Sequence, residues 1–419
     1  MKIYFTPFFI YAFFFIGCKH QSASYDSLKQ NNSRQDAVYW QSLKQTPWPM
    51  YRHDPQLTGR SPYTGPVNGT VIDTLFVSNR GEINSGITID SDSTMYIGIS
   101  QDTLDLTAIK YNGTVKWKKH INPAGFIPEI FNVPTLGKNN TLYHTTRGGT
   151  FSLNNNGEQI WRYSPIKEAN GLVTQVGLDG TIYSISQNGI LNAISQAGEL
   201  LWSLTDDRFS WGSIVTPSFS PDGKTLYVQC NHDANIAALD VETHSIKWTF
   251  GWNGTPNAPI VDAQGNIYLL ACSVIQSNPV SVDTFYSISS NGAIRWRYPF
   301  KYRNQFVDSK FTNYDPTIDI NGNIYFATDT LYSLDHDGQL RWKFGLGIDD
   351  ANYCPLVCDA NGTVYVGTLK NNVVAISNSG KQLWKIKIPG VLALGYSPTI
   401  VPGRLIYSSW KSNKLFIIE

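Results

Sequence analysis

Asp337-Gly338-Gln339-Leu340-Arg341-Trp342 (DGQLRW) is the stretch that decides the fold, because variants of it recur along the chain. Most copies begin with a turn pair such as Asn-Gly or Asp-Gly and continue as an alternating apolar segment that ends in tryptophan. Glycine adopts a positive φ at little cost, so the pattern indicates a hairpin turn followed by a strand. The copies end 41 to 48 residues apart, at Trp117, Trp161, Trp202, Trp248, Trp296, Trp342 and Trp384.

A second phrase precedes each tryptophan phrase and completes the repeat. It is a strand, a turn rich in Asp, Asn and Gly, and a strand with a recurring tyrosine, as in residues 316–327 (PTIDINGNIYFA). A short apolar segment such as residues 331–335 (LYSLD) then follows. Four short strands per period, without a long helical stripe, predict the blades of a β-propeller. The recurring tyrosines are Tyr96, Tyr143, Tyr183, Tyr227, Tyr268, Tyr325 and Tyr365.

The blade count follows from the two ends of the repeat region. Residues 396–419 supply three strands of a further blade, and residues 68–78 (NGTVIDTLFVS) match its missing fourth strand, with Asp73 in place of tryptophan. Residues 68–419 number 352, which is eight periods of 44. The sequence therefore predicts an all-β protein: an eight-bladed β-propeller of four-stranded antiparallel blades. Its ring is closed by the N-terminal strand joining the C-terminal blade, which removes an exposed sheet edge.

The region before the repeats divides into three parts. Residues 1–17 carry Lys2 and an apolar stretch, and Gly17 stands directly before Cys18. This pattern resembles a bacterial lipobox and predicts a lipoprotein signal peptide, with lipidation of Cys18, although Phe15 stands where leucine is usual. An ordinary signal peptide is the alternative. The polar residues 18–46 predict a flexible tether, and residues 47–67 a lead-in or capping segment before the propeller at 68–419.

Charge and motif content exclude several functions. Lys+Arg total 33 and Asp+Glu total 32, without a basic run, so a nucleic-acid partner is not expected. No G-x-S-x-G, H-E-x-x-H or Cys-x-x-Cys motif occurs. Asp-x-Asn-Gly segments, as at Asp319, lack the later ligands of a calcium loop and are predicted to be structural turns. We therefore expect no catalytic residue, metal or cofactor. Buried free thiols are predicted at Cys230, Cys272, Cys354 and Cys358.

Aromatic residues near the start of the innermost strands are the candidate binding site. Tyr314, Tyr353 and Tyr396 each lie two residues before a proline in three consecutive blades, and they are predicted to form an arc at the central mouth. Aromatic and arginine side chains on presented loops are typical of binding surfaces. The alternative is that the tyrosines only pack the channel. The same face is predicted to carry Trp211, Trp252 and Arg303.

Residues 238–248 (ALDVETHSIKW) resemble the tryptophan-docking repeat A-x-D-x-x-T-G-x-x-x-W of the PQQ-like quinoprotein propellers, with His244 in place of glycine. The other six repeats are one residue shorter and keep a small residue nine positions before the tryptophan. The lead-in at 48–61 also looks like the segment that opens such domains, and Arg52-His53-Asp54 within it is either a cap or a partner contact. The resemblance covers about residues 48–419 and implies that each tryptophan docks between neighbouring blades.

Within this family the chain is closer in character to the BamB-type lipoproteins, which are non-catalytic scaffolds in outer-membrane protein assembly. The PQQ-dependent dehydrogenases need calcium, a catalytic aspartate and usually an adjacent Cys-Cys pair, which this sequence does not contain. The resemblance implies a protein- or peptide-binding scaffold at the bacterial cell envelope, at the outer membrane, held to the membrane only by its lipid. Two alternatives stay open: glycan binding at the aromatic mouth, and a PQQ-dependent dehydrogenase.

Overall fold

The structure is a computed structural model, and the part of the chain that it describes forms eight antiparallel sheets arranged as the blades of one ring. The prediction of an all-β, eight-bladed propeller is confirmed. Within the described part, no helix has the length and apolar character needed to cross a bilayer. The described residues are 33–78, 81–100, 106–121, 133–146, 148–164, 171–186, 188–210, 216–230, 235–251, 255–256, 258–272, 282–301, 315–347, 350–388, 397–408 and 412–419.

The first strand of the chain, β1 (Val71–Phe76), belongs to the last blade, and each other blade takes consecutive strands A to D from the axis outward. Blade 1 is β2 (Glu82–Ile89), β3 (Thr94–Ser100), β4 (Leu106–Lys110) and β5 (Val115–Lys119). Blade 2 is β6 (Thr135–Gly137), β7 (Thr141–Thr146), β8 (Gly149–Leu153) and β9 (Gln159–Tyr163), with a 3-10 turn at Lys138–Asn140. Blade 3 is β10 (Gly171–Val176), β11 (Ile182–Ser186), β12 (Asn188–Ile194) and β13 (Leu200–Ser210). Blade 4 is β14 (Ser218–Phe219), β15 (Thr225–Gln229), β16 (Ile236–Asp240) and β17 (Ser245–Phe250).

The second half of the ring repeats this order. Blade 5 has its inner position shared by β18 (Thr255–Pro256) and β19 (Ile260–Val261), followed by β20 (Ile267–Cys272), β21 (Val282–Ile288) and β22 (Ile294–Lys301). Blade 6 is β23 (Thr317–Ile318), β24 (Ile324–Ala327), β25 (Thr330–Leu334) and β26 (Leu340–Gly345). Blade 7 is β27 (Val357–Cys358), β28 (Val364–Gly367), β29 (Asn372–Ile376) and β30 (Gln382–Lys387). Blade 8 is β31 (Thr399–Val401), β32 (Arg404–Ser408), β33 (Lys414–Ile418) and β1.

The ring closes between the two ends of the repeat region, as predicted. β1 pairs with β33 in antiparallel register, with Val71 opposite Ile418 and Leu75 opposite Leu415. Beyond the strands, the amide nitrogen of Thr70 donates to the carbonyl oxygen of Glu419, and that of Glu419 to Thr70, each at 2.8 Å. The edge of β33 is therefore covered, which leaves blade 8 with the same number of strands as its neighbours.

A row of three side chains explains the small residue that precedes each tryptophan. In blade 6, Tyr325 of strand B stands opposite Ser333 of strand C, which stands opposite Trp342 of strand D. The tyrosine and tryptophan ring centroids are 5.7 Å apart, so they meet across the small serine. In blade 8 the equivalent row is Ile406, Ile417 and Asp73, in which a bulky central residue accompanies the missing tryptophan.

Residues 33–67 lie across one end of the ring and contact all eight blades. Trp40 is buried, and its Nε1 donates to the carbonyl oxygen of Val176 in blade 3 at 2.9 Å. Leu43 is also buried and forms a bridge with Gly137 of blade 2. The prediction of a flexible tether over 18–46 is therefore wrong for residues 33–46. Two apolar anchors within a polar segment hold it against the propeller, because burying them stabilises the contact.

Candidate functional site

The predicted docking tryptophans lie against the C–D turn of the next blade. Trp296 of blade 5 donates from its Nε1 to the carbonyl oxygen of His336 in blade 6, at 3.0 Å. In the same turn, Gly338 has a φ of +82°, and a Cβ there would stand 2.5 Å from the Trp296 indole. Glycine is thus required both for the turn and for the close approach. The same contact joins Trp117 to Gly157, Trp161 to Gly198, Trp248 to Gly292, Trp342 to Gly380 and Trp384 to Gly69.

Two turns depart from this pattern in a consistent way. His244 takes the place of the glycine that would face Trp202, at a φ of 56°, and its ring stacks on the indole with centroids 4.3 Å apart. The turn at Gly113 faces Leu75 of blade 8, whose side chain would lie 3.5 Å from an added Cβ. Blade 8 has no tryptophan at Asp73, so the contact there is looser. At each of these interfaces, the residue in the turn and the side chain that it faces in the neighbouring blade therefore differ together from the common pattern.

The Asp-x-Asn-Gly segments form A–B turns and use their carboxylates within the turn. Asp319 accepts hydrogen bonds from the amide nitrogens of Asn321 and Asn323 at 2.9 Å, and from the Tyr325 hydroxyl at 2.7 Å. Asp262 and Asp359 likewise accept from the tyrosine six residues later, at 2.8 and 3.1 Å. No three His, Cys, Asp or Glu side chains among the described residues come close enough to hold a metal ion.

Of the six candidate binding residues at the mouth, Tyr353 lies within the described part of the chain. It is half-buried, and its amide nitrogen donates to the carbonyl oxygen of Gly367 at 2.9 Å. Its loop is held by the buried Asp350, which accepts from Thr368 Oγ1 at 2.8 Å and Asn372 Nδ2 at 2.9 Å. The tyrosine arc stays a prediction. The candidates outside the described residues are Tyr314, Tyr396, Trp211, Trp252 and Arg303, together with Cys18.

The prediction of buried thiols is confirmed for the cysteines whose side chains the structure describes. Cys230, Cys354 and Cys358 are buried, and no disulfide bond joins any two of them. Burial raises the pKa of the Cys230 and Cys358 thiols to about 12, so both stay protonated at neutral pH. Because the thiolate is the reactive form, these residues act as small apolar groups of the core.

Arg52 anchors the lead-in as a cap. Its guanidinium is buried and donates to the carbonyl oxygens of Leu57 at 2.9 Å, Leu356 at 3.1 Å and Pro316. The last two belong to residues just before the innermost strands of blades 7 and 6. Beside it, the Tyr51 hydroxyl donates to Asp315 at 2.8 Å. Burial raises the pKa of the Asp315 carboxyl. Arg52 therefore ties the lead-in to the inner wall of the ring.

A cavity of about 570 Å³ lies in this cap and is called the lead-in pocket. Its walls are the two arms of the lead-in, within residues 35–46 and 49–63. Four residues at the inner ends of blades 5, 6 and 7 complete its lining: Val261, Ala263, Ile320 and Ala360. Sequence reasoning missed this pocket because half of its wall was assigned to a tether. The Trp40 and Leu43 anchors were the signal available in the sequence.

Asp54 is the most constrained charged group of the pocket wall. It accepts hydrogen bonds from the Thr58 amide nitrogen at 2.9 Å and from the Thr58 hydroxyl, and its carboxylate lies 3.6 Å from His53 Nδ1. Burial acts to raise its pKa, but the contacts with His53 and Thr58 hold the pKa of Asp54 below its usual range. The carboxylate is therefore ionised at neutral pH and fixed in place.

The family of the chain is shown by its repeats. The family described as outer membrane protein assembly factor BamB matches residues 103–265, 150–329, 232–391 and 327–414. Taken together these overlapping matches run from 103 to 414, which is most of the chain. The chain belongs to the BamB family. No curated protein matches this BamB-family chain in sequence.

Solved structures with a similar fold include a BamB protein and two dehydrogenases. BamB from Moraxella catarrhalis has a TM-score of 0.56 at 15% identity, covering 84% of this chain and 97% of its own. Quinohemoprotein alcohol dehydrogenase from Comamonas testosteroni has a TM-score of 0.62 at 13% identity, covering 94% of this chain and 84% of its own. A europium-containing methanol dehydrogenase has a TM-score of 0.61 at 13% identity, covering 88% and 97%. At these identities the likeness concerns the fold alone.

The described residues do not fit the metal set that a quinone-dependent dehydrogenase uses. The resemblance to these enzymes implies a metal ion held by carboxylate and amide side chains, and the carboxylates of the described A–B turns are already engaged by their own turns. Asp319 illustrates this, because Oδ1 accepts two backbone hydrogen bonds and Oδ2 accepts from Asn323 Nδ2 and the Tyr325 hydroxyl.

Proposed function

We propose that this BamB-family protein is an exported, lipid-anchored scaffold of the bacterial outer membrane that binds a partner protein without catalysing a reaction. The family match supports a role in the envelope. The lipobox-like segment that ends at Cys18 supports export and a lipid anchor. Partner binding is supported by one feature of the ring's outer surface, the outermost strand of blade 3.

That strand, β13 (Leu200–Ser210), is the longest of the described outer strands, at 11 residues against 5 to 8 in the other blades. It ends its sheet, so one row of its backbone groups has no strand partner among the described residues. Its first six residues, 200–205 (LLWSLT), contain no charge. Each of the other described outer strands has a charged residue within its first six positions, such as Lys247 in β17 or Asp73 in β1. The charges of β13, at Asp206, Asp207 and Arg208, begin only at its seventh residue.

Charged residues on edge strands normally prevent pairing with another chain. Their absence from residues 200–205 leaves an apolar strand edge suited to an added strand. The partner that fits is an extended segment with alternating apolar side chains, bound by main-chain hydrogen bonds and by contact with Leu201. Binding of this kind needs no catalytic group, and it suits a scaffold that receives unfolded or strand-forming segments.

Placing a lysine on this edge tests the proposal. Leu201 and Leu383 are matched positions, because each directly precedes a docking tryptophan and they are 54% and 53% exposed. We expect Leu201→Lys to abolish capture of a synthetic ten-residue peptide of alternating Val and Thr, while Leu383→Lys captures it as the wild type does. Equal capture by both variants would refute strand addition at blade 3.

Two further measurements examine the other parts of the proposal. Mass spectrometry of the membrane fraction should detect a diacylglyceryl group on Cys18, and Cys18→Ser should release the protein from the membrane. Addition of PQQ and calcium should leave the absorption spectrum of the protein unchanged. A bound quinone chromophore with dye reduction on an alcohol would instead establish a dehydrogenase.

A further inference from the structure

We propose that the lead-in pocket binds a neutral saccharide of one to three rings. The pocket lies at the capped end of the ring, in contact with the innermost strands of blades 5 to 7. It is therefore separate from the outer edge of blade 3, and the inference does not depend on the scaffold role. A cavity of about 570 Å³ falls in the range of small-molecule sites, roughly 300–1,000 Å³.

Two tyrosines present their rings at the pocket. Tyr39 is 69% exposed and Tyr63 is 36% exposed, on opposite arms of the lead-in. Tyrosine rings are frequent in binding surfaces, because they combine a large apolar face with a polar hydroxyl group. The flat C–H faces of sugar rings are apolar and match the face of a tyrosine. Both rings are therefore available for contact with a ligand in the pocket.

The polar lining suits hydroxyl groups, which both donate and accept. Gln45 and Gln56 offer planar amides with both kinds of atom, whereas the amide of Gln35 is already bonded to Ser33, Gln264 and Ala263. Gln56 is buried, and its Nε2 has no hydrogen-bond partner in the part of the chain that the structure describes. An unpaired buried donor is unfavourable by about 1–3 kcal/mol, so a ligand oxygen is the group that this site lacks.

The charges of the lining favour a neutral ligand over an ion. The lining includes two carboxylates, Asp36 and Asp54, and two cations, Lys44 and Arg60, so their formal charges cancel. Several of these groups already have protein partners, such as Asp90 for Lys44 at 2.6 Å. Neither an anion nor a cation would find a net field here. A compact apolar-faced molecule with many hydroxyl groups satisfies all three features of the pocket.

The test uses the mature full chain and isothermal titration calorimetry with cellobiose, maltotriose and di-N-acetylchitobiose. At least one of these should bind. Tyr63→Ala should weaken that binding about tenfold, whereas Tyr63→Phe, which keeps the ring, should leave it within about threefold of wild type. Tyr163→Ala is the matched control, because this half-buried tyrosine lies on the outer strand of blade 2, away from the pocket.

A second variant fills the pocket while keeping its walls. Ala263→Trp places an indole among the lining residues, and it should abolish binding while the far-ultraviolet spectrum stays that of a β-propeller. Absence of heat with all three saccharides would overturn the proposal. Binding that persists unchanged in both Tyr63→Ala and Ala263→Trp would also overturn it, because the ligand would then occupy another site.

Discussion

Replacing one glycine of a C–D turn by alanine tests the docking of tryptophan between blades. Gly338 lies in the turn of blade 6 at a φ of +82°, and an added Cβ would stand 2.5 Å from the indole of Trp296. Gly403 is the matched control. Its φ is +72°, and no atom lies within 4 Å of an added Cβ. Both substitutions share the backbone strain, and only Gly338→Ala pushes on a neighbouring blade.

The two free energies follow from these contacts. A left-handed conformation costs an alanine about 1–2 kcal/mol, which is the whole effect expected for Gly403→Ala. At position 338 the indole must also move, at a further cost of about 1–3 kcal/mol for overpacking. The movement strains the hydrogen bond from Trp296 to His336, at 3.0 Å, and the contact with Tyr268, with ring centroids 5.9 Å apart. We expect Gly338→Ala to destabilise the protein by about 2–5 kcal/mol.

Guanidinium unfolding, followed by tryptophan fluorescence, measures both variants against wild type. A double-mutant cycle isolates the contact: with Trp296→Leu in place, Gly338→Ala should fall to about 1–2 kcal/mol, the value for Gly403→Ala. Equal effects of Gly338→Ala and Gly403→Ala in the wild-type background would refute the reasoning. The glycine would then serve the turn alone, and the indole would not determine how the blades meet.

Three other perturbations have expected outcomes. In guanidinium unfolding, the free energy of His244→Gly should stay within about 1 kcal/mol of wild type, because glycine relieves the positive φ but loses the stacking on Trp202. His244→Ala keeps the positive φ and loses the stacking, so it should destabilise the protein by about 1–2 kcal/mol. Burial lowers the pKa of His144 to about 3 from 6.5, so the unfolded state binds its proton more readily and stability is lost as the pH falls from 6.5 toward 3. The free energy of unfolding should differ between pH 7.5 and pH 5 by about 2 kcal/mol less in His144→Leu than in wild type. An equal difference in the two proteins would contradict the assignment. Deleting residues 1–78 removes β1 and leaves β33 as an open edge, so size-exclusion chromatography should detect oligomers. Deletion of residues 1–67 keeps β1 and the closed ring, and this variant should stay monomeric. Monomers in both cases would count against the role of β1 in covering the edge.

Much of the fold could be predicted because the same turn-and-strand pattern, which ends in tryptophan, recurs seven times in the sequence. A glycine before strand D sets the turn in every blade except blade 4, where His244 takes its place, and the tryptophan marks the interface between blades. The small residue nine positions earlier was visible as a pattern, but its reason needed the pairing register, which sets Ser333 between Tyr325 and Trp342. Sequence spacing shows that residues recur, and only cross-strand neighbours show why their sizes are linked.

The candidate sites were harder to predict because they are built by segments far apart in the chain. The lead-in pocket brings Gln35 and Tyr63 together with Ala263 and Ile320, and no local period connects these positions. The polar composition of residues 33–46 favoured a tether, and composition does not reveal that one buried indole, Trp40, suffices to fix such a segment.

The amino-acid sequence by itself determined the number of blades, their strand order and the closure of the ring, because turns and alternating strands depend on neighbouring residues and repeat with a fixed period. The tertiary structure decided where the lead-in lies and that Arg52 is buried against the residues before the innermost strands of blades 6 and 7. Those features depend on burial and on partners hundreds of residues away, such as Leu356 for Arg52. Long-range contacts of that kind leave no periodic trace in a single sequence.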